Sequence, residues 1–188
     1  RVANGVANVV DGTLLSMNYY TTQSDLRVLV SMDIKNSLAT CGIEVNVFNI
    51  FPSELYAAGP DGVLFGRKFD LAQFTWQAGR TNPCFLYSST QIPNQENFWT
   101  GANITGYADQ NYDLACQQSQ NAKLDDAASQ AEIQRLFNEA LPVLPLYYQL
   151  KIAASRIDFC GFDEMDVSGR SVLRKLEGFG YGDLCSSP

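Results

Sequence analysis

The hydrophobic period of the sequence changes twice between Thr13 and Val47, and that change restricts the chain to one class of fold. Residues 13–20 (TLLSMNYY) are rich in strand formers and follow Asp11-Gly12, a turn signal. Leu26, Leu29, Val30, Ile34 and Leu38 then recur at helical spacing. Thr22 followed three residues later by Asp25 reads as a capping box, with an acidic side chain near the positive end of the helix dipole, and Gly42 is placed to take the left-handed conformation that closes a helix. Beyond it Ile43, Val45 and Val47 alternate with Glu44 and Asn46, as a strand with one buried face does. Strand, helix, strand is a βαβ unit, and its crossover sets the two strands parallel in one sheet. The class is α/β, with a central mixed sheet flanked by helices.

The rest of the chain extends this pattern and then departs from it. Residues 52–58 read as a short helix opening at Pro52, and Gly59-Pro60-Asp61-Gly62 breaks it before a third strand over residues 69–76. Residues 77–108 are polar and without period, much longer than the usual connection of about 4 to 6 residues, and loops of that length in a compact domain usually have a function. Asp109 is a cap for a helix running to about residue 122, and a second helix starts near Asp125 or Asp126 with Ile133, Leu136, Phe137, Ala140 and Leu141 on one face. Pro142 and Pro145 stop it. Leu146, Tyr148, Leu150, Ile152 and Ala154 alternate with Tyr147, Gln149 and Lys151, a strand signature, whereas residues 156–188 carry no pattern that assigns them.

With 188 residues, 46% hydrophobic and 18% charged, the chain reads as one globular domain over residues 1–188. It starts at Arg1 without an initiator Met and ends in Ser186-Ser187-Pro188, so its ends read as the boundaries of a piece of something longer. A net charge of −7 opposes nucleic acid as a partner, and no run approaches the roughly 18 apolar residues of a membrane span. There is no histidine, which removes Ser-His and Cys-His nucleophile pairs and the commonest general base. Asp70, Glu96, Asp109 and Asp113 flank the polar stretch, but nothing in their spacing selects two of them for glycoside hydrolysis. No cofactor is implied. The cluster Asp163-Glu164-x-Asp166 lacks the glycine and spaced ligands of a calcium loop and reads as a solvated turn, while Asn103-Ile104-Thr105 matches a glycosylation acceptor.

Cys41, Cys84, Cys116, Cys160 and Cys185 are widely spaced with no C-x-x-C pair, which speaks against a zinc site and allows disulfides in an oxidising compartment. The sequence does not choose among the possible pairings. We expect Cys84 with Cys116 and Cys160 with Cys185, leaving Cys41 as a small buried hydrophobe at the end of the first helix.

Three segments together resemble the extracellular solute-binding proteins of ABC transporters in the peptide, nickel and opine class, family 5. They are Phe69-Asp70-Leu71 leading to Trp76 and Asn82-Pro83, then Asn103-Ile104-Thr105-Gly106-Tyr107 followed by Asp113-Leu114, and last the helix ending in Leu144-Pro145-Leu146-Tyr147-Tyr148. With the upstream Thr-x-x-x-Asp-Leu-Arg helix and Cys41-Gly42-Ile43-Glu44-Val45, they cover most of residues 12–155 in the family's order. The resemblance implies a periplasmic-binding-protein-like lobe, the C-terminal one, whose N-terminal partner lobe lies outside this chain. It also implies an extracellular or periplasmic location, with membrane anchoring possible in the full-length protein, and delivery of a small solute to transporter membrane subunits by a non-catalytic closing of two lobes.

The resemblance places the ligand at the end of the third strand and in the polar stretch after it, where Gln73, Thr75, Trp76, Gln77, Arg80, Thr81 and Asn82 supply one aromatic face and several polar groups. Trp99 and Tyr107 read as anchors of that stretch to the body. Peptide-binding members carry an Asp three residues after the Trp to hold the peptide's amino terminus, and here that residue is Gly79; an Arg of some oligopeptide binders corresponds to Gln73. Both replacements are neutral, which suits an uncharged polar ligand such as an oligosaccharide better than a free peptide. A structural or protein-interaction module without a small ligand is the alternative reading.

Overall fold

In a computed structural model the parallel pair required by the βαβ pattern is in place: β1 (Ser16–Thr22) pairs with β2 (Glu44–Ile50) from Ser16↔Glu44 to Thr22↔Ile50. The structure describes residues 1–76, 83–121, 127–148, 154–161, 176–182 and 185. Strand β3 (Leu71–Ala72) is parallel on the other side of β1, giving the order β2-β1-β3. Its ladder is shorter than residues 69–76 predict, but the Asp70 and Gln73 N–H groups still donate to the Asn18 and Tyr20 carbonyls, so the extended chain stays tied to β1 on both sides of the strand.

Helix α1 (Asp25–Thr40) connects β1 to β2. It starts later than the Thr22 capping box predicts: the cap is Ser24, whose side chain makes no capping hydrogen bond, because Thr22 is still held in β1 opposite Ile50. Its end is as expected. Gly42 sits at φ +74°, its N–H donates to the Ala39 carbonyl and the Ile43 N–H to that of Leu38, the paired bonds that satisfy the last carbonyls of a helix. The buried face is rotated from the one predicted. Leu29 is 64% exposed and Leu26 is also outward, while Ser31 is fully buried. The covered stripe passes through Arg27, Ser31, Ile34 and Leu38, so the rotation that turns Arg27 inward carries Leu26 and Leu29 out. Cys41, expected to be buried, is exposed and unpaired because the helix closes at the surface.

The sheet has two covered faces. On one, Tyr20, Ile50 and Ala72 pack with Phe69, Phe74 and Trp76 around the buried side chains of Leu55, Leu64 and Ile104. Complete burial stabilises each of those three by about 1.5 to 3 kcal/mol. Leu55 ends a short helix, α2 (Pro52–Leu55), opening at Pro52 as predicted but stopping before residue 58. On the other face the alternate residues Tyr19, Thr21 and Val45 are buried beneath α1.

A second cluster is built on the disulfide Cys84–Cys116, which joins the polar stretch to α3 (Gln110–Asn121). Tyr112, Ala115 and Ile133 surround it, with Tyr87, Tyr107, Leu136 and Phe137 packed outside; Ile133, Leu136 and Phe137 are the inner face of α4 (Ala127–Ala140), as the spacing predicts, although Ala140 and Leu141 face solvent. Asp109 caps α3 as expected, accepting from the Tyr112 N–H at 2.8 Å.

These elements belong to one compact unit, Arg1–Trp76 with Cys84–Pro142. A second unit comprises Gln77–Pro83 and Val143–Pro188. In it β4 (Phe159–Cys160) and β5 (Gly180–Tyr181) pair antiparallel, Phe159 packs on Phe179 and Tyr181, and the second expected disulfide, Cys160–Cys185, closes the segment. The strand expected from Leu146 onward is not formed at residues 146–148, and residues 149–153 lie outside the described part, as does the Asp163 cluster.

The disulfide joining Cys84 and Cys116 spans 32 residues, so Cys84→Ser with Cys116→Ser should lower stability by about 3 to 4 kcal/mol, read as a shifted urea midpoint. The Tyr112 hydroxyl beside it is buried and donates to the Cys84 carbonyl, and burial holds its pKa well above the ordinary value near 10. Above pH 10 the unfolded chain therefore loses a proton that the folded chain keeps, and stability falls as pH rises. Tyr112→Phe should flatten that alkaline slope in urea titrations and leave the slope below pH 9 unchanged.

Candidate ligand site at the strand ends

Parallel strands direct all their carboxyl ends to one edge, and in open α/β sheets ligands bind in the crevice outside that edge. Register places Asn49, Thr21 and Gln73 side by side across β2, β1 and the end of β3, so a polar row closes the apolar sheet where the first turn of α1 begins. Gln73 is buried, and its side-chain oxygen accepts from the Tyr19 and Thr21 hydroxyls, each at 3.2 Å. The amide thus faces inward and sets the row. Arg27 crosses above it: Nη2 donates to Thr75 Oγ1 at 2.8 Å and Nη1 to the Gln73 carbonyl at 3.4 Å.

Of the residues named from sequence, Gln73 and Thr75 meet at this edge, while Trp76 packs on the opposite face of the sheet. Thr75 is exposed beside the guanidinium. Trp76 is half-buried, set edge-on to Phe74 at 5.9 Å and packed on the Leu55 cluster, so much of its ring is core. Gln77, Arg80, Thr81 and Asn82 lie outside the described residues, as does Gly79. Sequence reasoning missed Arg27 and Asn49. The Thr-x-x-x-Asp-Leu-Arg motif contained the first, but helical spacing assigned the inner face to Leu26; Asn49 follows the alternation of Val45 and Val47 and needed only two more residues of the same pattern.

The part of the polar stretch that is described holds its shape through side-chain amides. Asn94 and Asn97 accept each other's backbone N–H groups at 3.0 Å, and Asn103 Nδ2 donates to the Ser88 and Tyr107 carbonyls at 2.9 and 2.8 Å. Asn103 is fully buried by those bonds, so the nitrogen that a glycan would need is enclosed once the chain has folded. Trp99 lies against Gly59, where an added Cβ would meet the indole at 2.7 Å, and Tyr107 packs edge-on against Tyr112; both anchor the stretch. Ser89 donates its N–H and its hydroxyl to Asp113. Asp70 likewise accepts the Asn18 N–H, so three of the four carboxylates considered for hydrolysis hold backbone amides. An open groove of about 370 Å³ between Phe85, Gln91, Gln117 and Gln120 shares no residue with the strand-end site. No described helix is long and apolar enough to cross a membrane.

A parallel sheet under a crossover helix, polar at its carboxyl edge, is the architecture of a periplasmic-binding-protein-like lobe, and the comparisons agree. The fold is that of an oligopeptide-binding protein from Thermus thermophilus solved with a pentapeptide (TM-score 0.62, 22% identity, 79% of this chain and 26% of that one) and of NikZ from Campylobacter jejuni solved with Ni(L-His) (TM-score 0.55, 17% identity, 70% and 26%). In sequence the chain is 26% identical over 148 residues to di/tripeptide-binding protein 2 of Pseudomonas aeruginosa strain UCBPP-PA14, a match covering 77% of this chain and 26% of that protein. No family model matches. The resemblance drawn from sequence therefore holds: the relatives are solute-binding proteins of the peptide and nickel class, and this chain spans about a quarter of their length.

The Asn49 side-chain oxygen is buried without a hydrogen-bond partner among the described residues. Such an acceptor costs roughly 1 to 3 kcal/mol, and sites kept for binding tolerate that cost. Asn49→Leu should leave stability unchanged or raise it by up to about 1 kcal/mol in urea titration, against the loss of about 1 kcal/mol usual for a change at a covered position.

Proposed function

We propose that this chain is one lobe of an extracellular solute-binding protein, capturing a small polar, peptide-like ligand for a membrane transporter without chemical change to it. The observation that carries the reading is the polar carboxyl edge of the parallel sheet, occurring in a chain that matches a di/tripeptide-binding protein over most of its length. A lobe of this kind supplies half of a cleft. The remainder comes from a second lobe, and ligand between the two favours the closed form that transporter membrane subunits recognise. The described part of the polar stretch, residues 83–108, suits this role because asparagine amides tie its backbone together, so that it offers a largely preformed surface. The absence of histidine throughout and the engagement of Asp70, Asp109 and Asp113 by backbone amides both favour binding over catalysis.

Tryptophan fluorescence tests the reading. The chain is titrated with dipeptides, oligosaccharides and nickel–amino-acid complexes, alongside Thr75→Val and Trp76→Phe. The expected result is saturable quenching by the dipeptides, weakened severalfold in Thr75→Val and lost in Trp76→Phe. Absence of saturation with every panel up to about 10 mM ligand, beyond which binding no longer counts as specific, overturns the proposal.

A further inference from the structure

Gln110, Asp113, Gln117 and Gln120 follow one another along α3 at spacings of three or four residues, so they form one stripe of the helix. At a rise of about 1.5 Å per residue, Gln110 and Gln117 stand about 10 Å apart along it. This stripe is one wall of the groove noted above; the other is made by two 3₁₀ turns, Cys84–Tyr87 and Ser89–Gln91. Two clamps fix the distance between the walls. The disulfide Cys84–Cys116 joins them, and Asp113 accepts the N–H and the hydroxyl of Ser89 from the opposite side. Neither clamp uses the glutamines that face the space between.

The amides here differ in use from those of the neighbouring stretch. Asn94, Asn97 and Asn103 bond to backbone, whereas the side chains of Gln91, Gln110 and Gln117 make no hydrogen bond among the described residues. Gln120 reaches only the disulfide sulfurs, weak acceptors at 3.8 and 3.9 Å. A primary amide sets an acceptor beside a donor pair, which matches neighbouring hydroxyls that each donate and accept. Apolar surface comes from Phe85 on the turn, 45% exposed, and Leu114 on the helix, 48% exposed. Charge narrows the choice of ligand. No lysine or arginine lines the groove, so an anion has no partner there in a chain of net charge −7, and the single carboxylate, Asp113, is already engaged on both oxygens. A volume of about 370 Å³ lies at the lower end of the range for small-ligand sites.

We propose that this groove is a second binding site, for a short neutral saccharide. The Phe85 ring packs against the C–H face of a sugar ring, and the amides of Gln91, Gln110 and Gln117 bond its hydroxyls. Clamped walls reduce the ordering that binding requires, which suits a ligand whose contacts are individually weak. The inference goes beyond the solute reading: the groove shares no residue with the strand ends, so carbohydrate held here does not compete with solute capture.

The test follows the glutamine side-chain NH₂ resonances of the intact ¹⁵N-labelled chain, assigned by their loss in Gln110→Leu and Gln117→Leu. Cellobiose, maltotriose, diacetylchitobiose and Ala-Ala are titrated in turn. The proposal expects at least one saccharide to shift the Gln110 and Gln117 resonances saturably below about 10 mM. Phe85→Ala should weaken that saccharide about tenfold or more, and Gln117→Leu severalfold. Gln118→Leu, the same change on α3 outside the groove, should leave its affinity unchanged. Should Phe85→Ala fail to fold, the contrast between Gln117→Leu and Gln118→Leu decides. Absence of a saturable shift with every saccharide overturns the proposal, and so do saccharide affinities equal in wild type, Phe85→Ala and Gln117→Leu. Groove shifts caused by Ala-Ala and by no saccharide overturn it as well. The solute reading is decided separately by tryptophan quenching, since no tryptophan lines the groove.

Discussion

The register of β1 between two parallel neighbours is the constraint on which the site depends. Seven consecutive pairings to β2 and two to β3 fix which residues share a level across the sheet. A slip of one residue would exchange the faces, moving Tyr19 and Thr21 into the apolar cluster around Leu55 and Tyr20 beneath α1. Because the strands are parallel, their polar terminal residues also fall at one edge instead of alternating between two. The row of Asn49, Thr21 and Gln73 follows from that geometry, and Arg27 reaches it because the crossover helix begins directly after β1.

The segment from Cys84 to Asp109 shows how a chain holds a defined shape with little regular structure. Two short 3₁₀ turns, at Cys84–Tyr87 and Ser89–Gln91, are its repeating elements. Of the remaining backbone polar groups some pair with one another, as Trp99 N–H does with the Asn94 carbonyl, and others find side chains: asparagine amides, the Thr105 hydroxyl, and the Asp113 carboxylate reaching from α3. Buried backbone groups need such partners, and a polar composition supplies them locally. The same residues that made this stretch look solvated in sequence are what order it. Functional and structural polarity are therefore indistinguishable by composition, and Asn103 is the clearest instance, reading as a surface acceptor while sitting fully buried.

Electrostatics ties the site to the rest of the molecule. A chain of net charge −7 repels anions on average, but the charge presented at the strand ends is set by the groups that lie there. Arg27 is held there through neutral contacts, whereas Arg135 on α4 lies between Glu132 and Glu139 at the surface. Local pairing, more than the count of charges, determines the charge that this edge presents.

The βαβ unit, the α/β class, the helix stop at Gly42, the cap at Asp109 and the inner face of α4 were legible in the sequence because each depends on local period or on one residue's conformational preference. Both expected disulfides also formed. The rotation of α1, the exposure of Cys41 and the inward turn of Gln73 were not legible, because a helix with apolar residues on more than one side has no unique inner face until a sheet is packed against it. Tertiary packing selected the stripe through Arg27 and Ser31 over the one through Leu26 and Leu29, since the strand ends offer Thr75 and a carbonyl that a guanidinium can bond and a leucine cannot. The sequence determined which elements form; only the packed structure decided which side chains face the site, because hydrogen bonds between residues about 50 positions apart leave no local period to read.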